Sequence, residues 1–393
     1  MCLPFHAGIT VTGPHIDMDL FRHIADEVFP FVGRFQPTVS GEPLMSKGLP
    51  EKLDLAEQYG VKVEMFTNAT FFDHRMIEKV IRSLGLASIS FDGATKETFE
   101  AIRAGAEFEV VVRNIRRLCA AARALPEGHR PVIGIVPTLM RANIEELPAL
   151  VDLAADLGVD FIACHHMHPI TEEMNEESLA LVPDLAREWI ERALARAEEV
   201  GMPMSISPLD QIVAATARSD GFGRVVTTDD GVLLERRAVL QDRIPLPPRV
   251  TAEHPEFAEI SQRRAAGQAR WEGLRPVAPD PSAPDRGTVW GCEFLWSKLF
   301  VAVDGDVTPC CVPNMPVLGN LGEQSFEEVW NGTPYRAMRE SLVRKHPVPV
   351  CKGCEHIVEV ADPALVHHFL QGREVPTGPA GPVPETLSKP RGA

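Results

Sequence analysis

This chain of 393 residues contains no run of about 18 apolar residues, the length a membrane-spanning helix needs. Its first residues, Met1-Cys2-Leu3-Pro4-Phe5-His6, lack the charged-then-apolar pattern of a secretory signal. Positive charge is scarce: 39 Lys and Arg stand against 55 Asp and Glu, a formal balance of −16. With no basic patch to neutralise phosphates, a nucleic-acid partner is excluded. A disulfide framework is also missing. Eight cysteines in a chain this long, half of them clustered, read as metal ligands in a reducing compartment. The expectation is a cytoplasmic protein with no membrane partner, large enough for one sizeable domain and a smaller one.

What is present is concentrated in the last third, from Trp290 to His356. Cys292 is followed by Cys310 with Cys311 beside it, and a C-x-x-C closes the segment at Cys351 and Cys354. Between the first two cysteines, LFVAVDGDVTP is two short apolar runs broken by Asp304-Gly305, the pattern of a hairpin with a type I′ turn. Such a hairpin brings Cys292 and Cys310 to one end. Four sulfurs at these spacings suit tetrahedral zinc or an iron–sulfur cluster, and spacing alone leaves both open. Adjacent side chains on a strand point to opposite faces, so one of Cys310 and Cys311 faces the metal. The spacing favours Cys310.

From residue 17 onward, helical patterns alternate with short β-rich runs. Strands are expected at FQPTVSGEPL, VKVEMFTN, LASISFDG, PVIGIVPTLM, VDFIACHH and MPMSIS. Helices are expected at 17–32, at 50–59, from Asp73 to Gly85, in two pieces over 95–125 split near Gly105, from Asn143 to Gly158, and at 183–200. Strand–helix units about 30 residues long imply parallel βαβ connections, hence an α/β protein with a barrel or doubly wound sheet. Function in such folds sits at the C-terminal strand ends. Those ends are Ser40-Gly41-Glu42-Pro43, Thr67-Asn68, Ser90 with Asp92-Gly93, Pro137-Thr138 and Cys164-His165-His166. The four domain segments expected are 1–206 as the barrel, 207–289 as a Pro-rich linker or insertion, 290–357 as the small cysteine-rich α+β domain, and 358–393 as a tail, disordered from about 374.

SGEPL, TNAT, SISFDGATKETFEAIRAGAEFEVVVRNIRRL and MRANIEEL, in that order and strand placement, resemble the radical S-adenosylmethionine superfamily. The Cys292…Cys310 hairpin, GNLGEQSFEEVWNG and Cys351-Lys352-Gly353-Cys354 resemble its C-terminal auxiliary-cluster extension, of SPASM or the shorter twitch type. The resemblance implies a partial (β/α)6 TIM-like barrel whose first strand is missing. It implies that Ser40, Gly41, Glu42 and Pro43 bind S-adenosylmethionine, with Glu42 accepting from its amino group. Asn68, Ser90 and Asp92 would lie near its ribose and methionine parts, and Arg103 would pair with its carboxylate. Cys292, Cys310, Cys351 and Cys354 would ligate an auxiliary [4Fe–4S] cluster. The implied activity is release of a 5′-deoxyadenosyl radical that takes a hydrogen atom from a small-molecule or peptide substrate, with an electron donor such as a flavodoxin or ferredoxin. The non-catalytic alternative is a protein that keeps only the C-terminal iron–sulfur or zinc site.

One departure stands out. The superfamily's C-x-x-x-C-x-x-C loop carries three cysteines; here Cys2 falls where the third would be, as metal ligand and catalytic residue, and nothing precedes it to supply the others. The expectation is a start lacking about 10–20 residues, a strand of ~5–6 residues plus a loop, with the second [4Fe–4S] cluster present only in a longer form. Elsewhere, Cys164 and His166 share one face of their strand and His165 the other. Cys119 reads as an inert buried thiol, and Trp296 and Trp330 as core of the small domain.

Overall fold

The computed structural model describes residues 15–39, 41–167, 169, 172–207, 289–311, 315–343, 345–352, 354 and 357–360. Cys2, Ser40, the insertion from 208 to 288, His168 and the tail beyond 360 lie outside them. The chain forms two compact units.

Helix α1 (Met18–Val28) comes first. Strands and helices then alternate: β1 (Arg34–Phe35), α2 (Leu49–Gln58), β2 (Lys62–Thr67), α3 (His74–Val80) and β3 (Leu84–Ile89). Next come α4 (Lys96–Ile102), α5 (Phe108–Arg123), β4 (Val132–Ile135), β5 (Thr138–Leu139), α6 (Leu147–Leu157), β6 (Phe161–His166), α7 (Pro183–Val200) and β7 (Met204–Ile206). Every pairing among β1 to β7 is parallel, in the order β1-β2-β3-β4-β6, with β5 and β7 also on β6. Strands β4 and β5 pair with successive parts of β6, so they act as one wall interrupted at Pro137. A proline there removes the N–H the ladder would need. Sequential parallel neighbours joined by helices are the wall of a partial β/α barrel. β1 stands at one edge of that order.

The helix boundaries follow their caps. Asp17 accepts from the N–H groups of Asp19 and Leu20, Asp73 caps α3 at Met76, and Gly158, with φ 75°, ends α6. Three expected boundaries are corrected. The first helix ends at Val28 rather than at 32, and the helix expected from Asn143 begins at Leu147 after a 3-10 turn over Ile144–Glu146. α3 stops at Val80, not Gly85, because Leu84 and Gly85 already belong to β3, where Leu84 pairs with Val63. Beneath the segment FDGATKETF, Phe91, Phe99 and Phe108 form a triangle of rings with centroids 4.6–5.8 Å apart. Gly93 lets the backbone close on that triangle, since a Cβ there would lie 2.6 Å from the Phe99 nitrogen.

The second unit contains β8 (Val289–Cys292), α8 (Glu293–Ser297), β9 (Phe300–Val301), β10 (Asp306–Thr308), β11 (Gly319–Asn320), α9 (Phe326–Trp330), α10 (Thr333–Val343) and β12 (Ile357–Val360). Strands β11-β10-β9 form one antiparallel sheet, and β12 pairs antiparallel with β8. The hairpin between β9 and β10 exists, but its turn differs from the one expected. Gly305 N–H donates to the Ala302 carbonyl and Gly305 has φ 87°, while Asp304 keeps a negative φ. This is a three-residue loop with a glycine bulge, which confines the left-handed conformation to the residue with no Cβ.

Helix α1 groups with this second unit, although the sequence reading set residues 1–206 in the barrel. Ile24 and Val28 pack into the same core as Cys292, Leu295, Trp296, Val329 and Tyr335. Phe31 meets the Phe326 ring at 5.3 Å, and Glu27 accepts from the Phe326 N–H at the start of α9. Trp296 and Trp330 belong to this core.

Gly93→Ala is expected to destabilise the barrel unit by about 1–3 kcal/mol, the cost of forcing a methyl into packed backbone. Urea unfolding followed by far-UV circular dichroism reads the loss; an unchanged midpoint would sink the close-packing account of this glycine.

Candidate functional site

The polar residues at the C-terminal strand ends of the first unit form a connected network. Gly41 takes φ 82° just after β1 and hands the chain to Glu42. The Glu42 carboxylate accepts from the Leu44 N–H (3.1 Å), the Thr67 hydroxyl (2.7 Å) and the Asn68 N–H (2.8 Å). A carboxylate offers about four acceptor positions, so one remains open. Thr67, buried at the end of β2, also accepts from Ala69 N–H, and the Asn68 side chain accepts from Thr70 N–H. Ser90, half-buried beyond β3, donates its backbone N–H to the Thr67 carbonyl.

Asp92 is the centre of the next group. Its carboxylate has no exposed surface, accepts from the Thr138 N–H at 2.6 Å and meets an Arg103 guanidinium nitrogen at 2.6 Å. The residue expected to pair with a ligand carboxylate therefore already pairs with Asp92, which is drawn to it because a buried charge demands a partner. Arg103 Nε is buried with no hydrogen-bond partner among the described residues. On β6, Cys164 and His166 are buried while His165 is exposed, and His166 Nε2 lies 2.7 Å from the Ser207 carbonyl. Burial holds the Cys164 thiol protonated and pushes that of Cys119 up to about 12, which leaves both unreactive.

Three residues that shape this network escaped the sequence reading. Asn143 donates to the Asp92 and Thr138 carbonyls at 2.9 Å each and accepts from Met140 N–H. Glu146 accepts from Ala94 N–H, Thr95 N–H and the hydroxyls of Thr95 and Thr98, fastening the start of α4. Asn114 on α5 donates to the carbonyls of Ala69 and Thr70. Their signal was weak because each bond spans 44 residues or more apart from those of Asn143 to its neighbours. Burial raises the Glu146 carboxyl pKa, but the hydrogen bonds from Thr98, Thr95 and Ala94 outweigh it and hold the group below its ordinary range.

In the second unit the four cysteines converge. Cys292 ends β8, Cys310 follows β10, and the turn from Val348 supplies Cys351 and Cys354, with Cys354 N–H donating to the Cys351 carbonyl. Burial, and then the neighbouring thiols of Cys354, Cys292 and Cys310, push Cys351 up to about 12. Cys310 is half-buried, whereas Cys311 is exposed. Among the described residues, no three His, Cys, Asp or Glu side chains close tightly enough to hold a single metal ion. A lone tetrahedral zinc with Zn–S bonds of about 2.3 Å would set the sulfurs roughly 3.8 Å apart. Four cysteine thiols brought together in one small unit are the donor set that an iron–sulfur cluster takes.

Residues 292–355 match the SPASM family, described as an iron–sulfur cluster-binding domain. The AdoMet-dependent heme synthase of Methanosarcina barkeri is 25% identical over 357 residues, covering 88% of this chain and 84% of that protein. Over most of its length the chain is similar to an AdoMet-dependent enzyme, and its residues 292–355 are similar to the SPASM domain. The Fe-coproporphyrin III synthase of the same organism is 26% identical over 179 residues, covering 43% of this chain and 42% of that relative. Streptococcus suis SuiB bound to S-adenosylmethionine aligns in structure with a TM-score of 0.48 and 13% identity, covering 85% of this chain and 63% of that one. The matched domain family binds an iron–sulfur cluster, and the heme synthase depends on S-adenosylmethionine. The thiols of the SPASM domain fit a cluster, and the open acceptor on Glu42 beside Gly41 fits a cationic amino group. No helix of the described residues is long and apolar enough to cross a membrane.

Removing Asp92 would leave Arg103 buried and unpaired, so Asp92→Ala is expected to cost about 3–5 kcal/mol; a loss under 1 kcal/mol in chemical denaturation would contradict the central role given to this carboxylate. Glu146 carries a pH signature. Its folded pKa is depressed, so its stabilisation is complete above the unfolded value of about 4.3 and fades as pH falls through the folded value. The wild type should lose stability between roughly pH 5 and 3 more steeply than Glu146→Gln, and parallel profiles would refute this.

Proposed function

We propose that this chain is an enzyme that abstracts a hydrogen atom from its substrate by S-adenosylmethionine radical chemistry, aided by an auxiliary cluster on Cys292, Cys310, Cys351 and Cys354. The observation that carries this reading is the pairing, on one chain, of a parallel β/α wall with polar strand ends and a four-thiol SPASM unit, aligned along most of its length with a heme synthase. When bound, the cofactors supply the electron and the 5′-deoxyadenosyl radical; the protein supplies binding, orientation and exclusion of water.

In this proposal Gly41, Glu42 and Pro43 hold the amino group, with Thr67 and Asn68 fixing the Glu42 carboxylate at hydrogen bonds of 2.7 and 2.8 Å. Asn68, Ser90 and Asp92 line the ribose and methionine side. Asp92 orients the Arg103 guanidinium, whose remaining N–H groups take the ligand carboxylate, a fork suited to that geometry. Cys2 as a ligand of the catalytic cluster, and Ser40 beside Gly41, belong to the same proposal and lie outside the described residues. An iron porphyrin is the first substrate class to test, because the relatives that match include a heme synthase and an Fe-coproporphyrin III synthase.

The test is anaerobic reconstitution followed by iron, sulfide and 5′-deoxyadenosine analysis, on this chain and on any upstream-extended form. About four iron per chain for each cluster, with cleavage of S-adenosylmethionine that Glu42→Ala lowers at least tenfold, is the expected result. Iron without cleavage in either form would leave the non-catalytic cluster-binding alternative, and zinc in place of iron would overturn both.

A further inference from the structure

The core of the SPASM unit holds a cation with no ion-pair partner among the described residues. Arg339 on α10 is 3% exposed, and donates from Nε to the Leu295 carbonyl and from Nη1 to the Trp330 carbonyl, both at 2.9 Å. Its Nη2 has no hydrogen-bond partner among the described residues. The guanidinium carbon lies 4.3 Å from the Trp330 ring centre and 4.7 Å from that of Tyr335. These rings in turn lie 4.9 Å apart. Tyr335 is wholly buried, and its hydroxyl too has no hydrogen-bond partner among the described residues.

An unsatisfied buried hydroxyl costs about 1–3 kcal/mol, and an uncompensated buried guanidinium costs more. Native cores seldom keep two such groups side by side without a use. Tyr335 belongs to the core that contains Cys292 and against which Cys351 packs. The Leu295 carbonyl that holds Arg339 lies three residues beyond Cys292. Arg339 keeps its charge near neutrality, since burial lowers its pKa only to about 10. The missing anion is then the cluster itself. Four thiolates around a [4Fe–4S] core carry net negative charge, and one-electron reduction adds another.

We propose that the Tyr335 hydroxyl donates a hydrogen bond to the cluster that these thiols hold, and that Arg339 beside it supplies the counter-charge, so that the pair raises the auxiliary cluster's reduction potential. Hydrogen bonds and charge near the sulfurs are established determinants of such potentials. Donors stabilise the reduced, more negative state over the oxidised one, so the electron enters more easily. Trp330 holds the two groups together through ring stacking and the cation–π contact. In this role Tyr335 and Arg339 are positioning and tuning residues, since the four cysteines make the bonds to iron.

The inference rests on the reading that these four cysteines hold a cluster, and the test separates the two. Iron and sulfide content after anaerobic reconstitution reports on that reading; the midpoint potential, from a dithionite titration followed by electron paramagnetic resonance, reports on this one. Tyr335→Phe keeps the ring and removes only the hydroxyl. Without a cluster it should leave the thermal midpoint unchanged or slightly raised, because no protein bond is lost. With the cluster loaded to wild-type content, the reduced-to-oxidised ratio at a given potential should fall at least tenfold, about 59 mV for a one-electron couple. An unchanged potential in a fully loaded variant would overturn the proposal, as would a folded variant that takes up no iron, since the hydroxyl would then hold the cluster rather than tune it. If Tyr335→Phe does not fold, deuterium-exchange ENDOR on the reduced wild-type cluster decides: a strongly coupled exchangeable proton supports the bond, and its absence refutes it.

Discussion

A carboxylate with no access to water has to be answered by its surroundings, and Asp92 imposes that demand on the first unit. Its partners come from three directions: the Thr138 N–H where β5 begins, the Arg103 guanidinium just past α4, and, through its own backbone carbonyl, the Asn143 amide. Each partner fixes the exit of a strand or the end of a helix. The strand ends are therefore held in register by one buried charge rather than by loop stiffness. Glu42 does the same at a smaller scale between β1 and β2. Binding residues in α/β folds must be held rigidly at otherwise mobile strand exits, and here two acids fasten them from within.

The second unit solves the opposite problem. It buries a cation without an ion-pair partner and a hydroxyl without a hydrogen-bond partner among the described residues, at the core that contains Cys292, an arrangement that is costly unless something bound there supplies negative charge. The strands of this unit are two to four residues long, too short for independent stability. Its order comes from the apolar core around Trp296, Val329 and Tyr335, from the Ser325–Glu328 capping box on α9, and from whatever the cysteines bind.

The architecture was legible where the code is local. Five of the six β-rich runs carry strands, PVIGIVPTLM two of them, while FQPTVSGEPL meets β1 only at Phe35; Asp73 and Gly158 cap the helices they were read to cap, because periodicity and capping act over a few residues. The hairpin at Asp304-Gly305 was legible as a hairpin but not as a glycine bulge, since Asp-Gly serves both turn types. What stayed hidden was long-range. Nothing near Arg103 announces Asp92, and nothing near Asn143 announces its two carbonyls. The site residues named from the family motifs cluster at the strand ends, while Asn114, Asn143 and Glu146, which hold those ends in place, carry no local pattern. Amphipathicity told which face of α1 is buried, but a stripe of Phe21, Ile24 and Val28 does not say against what.

That last point bears on how the chain is made. Helix α1 is among the first elements to be synthesised, yet Glu27 accepts from Phe326, a separation of 299 residues. At translation speeds of about 5–20 residues per second, the helix waits roughly 15–60 s before its core exists. During that wait Phe21, Ile24 and Val28 are an unsheltered apolar stripe while the barrel wall folds downstream. The cysteine-bearing unit is consequently the last to close, and it cannot be excised at residue 289 without leaving behind one of its own helices.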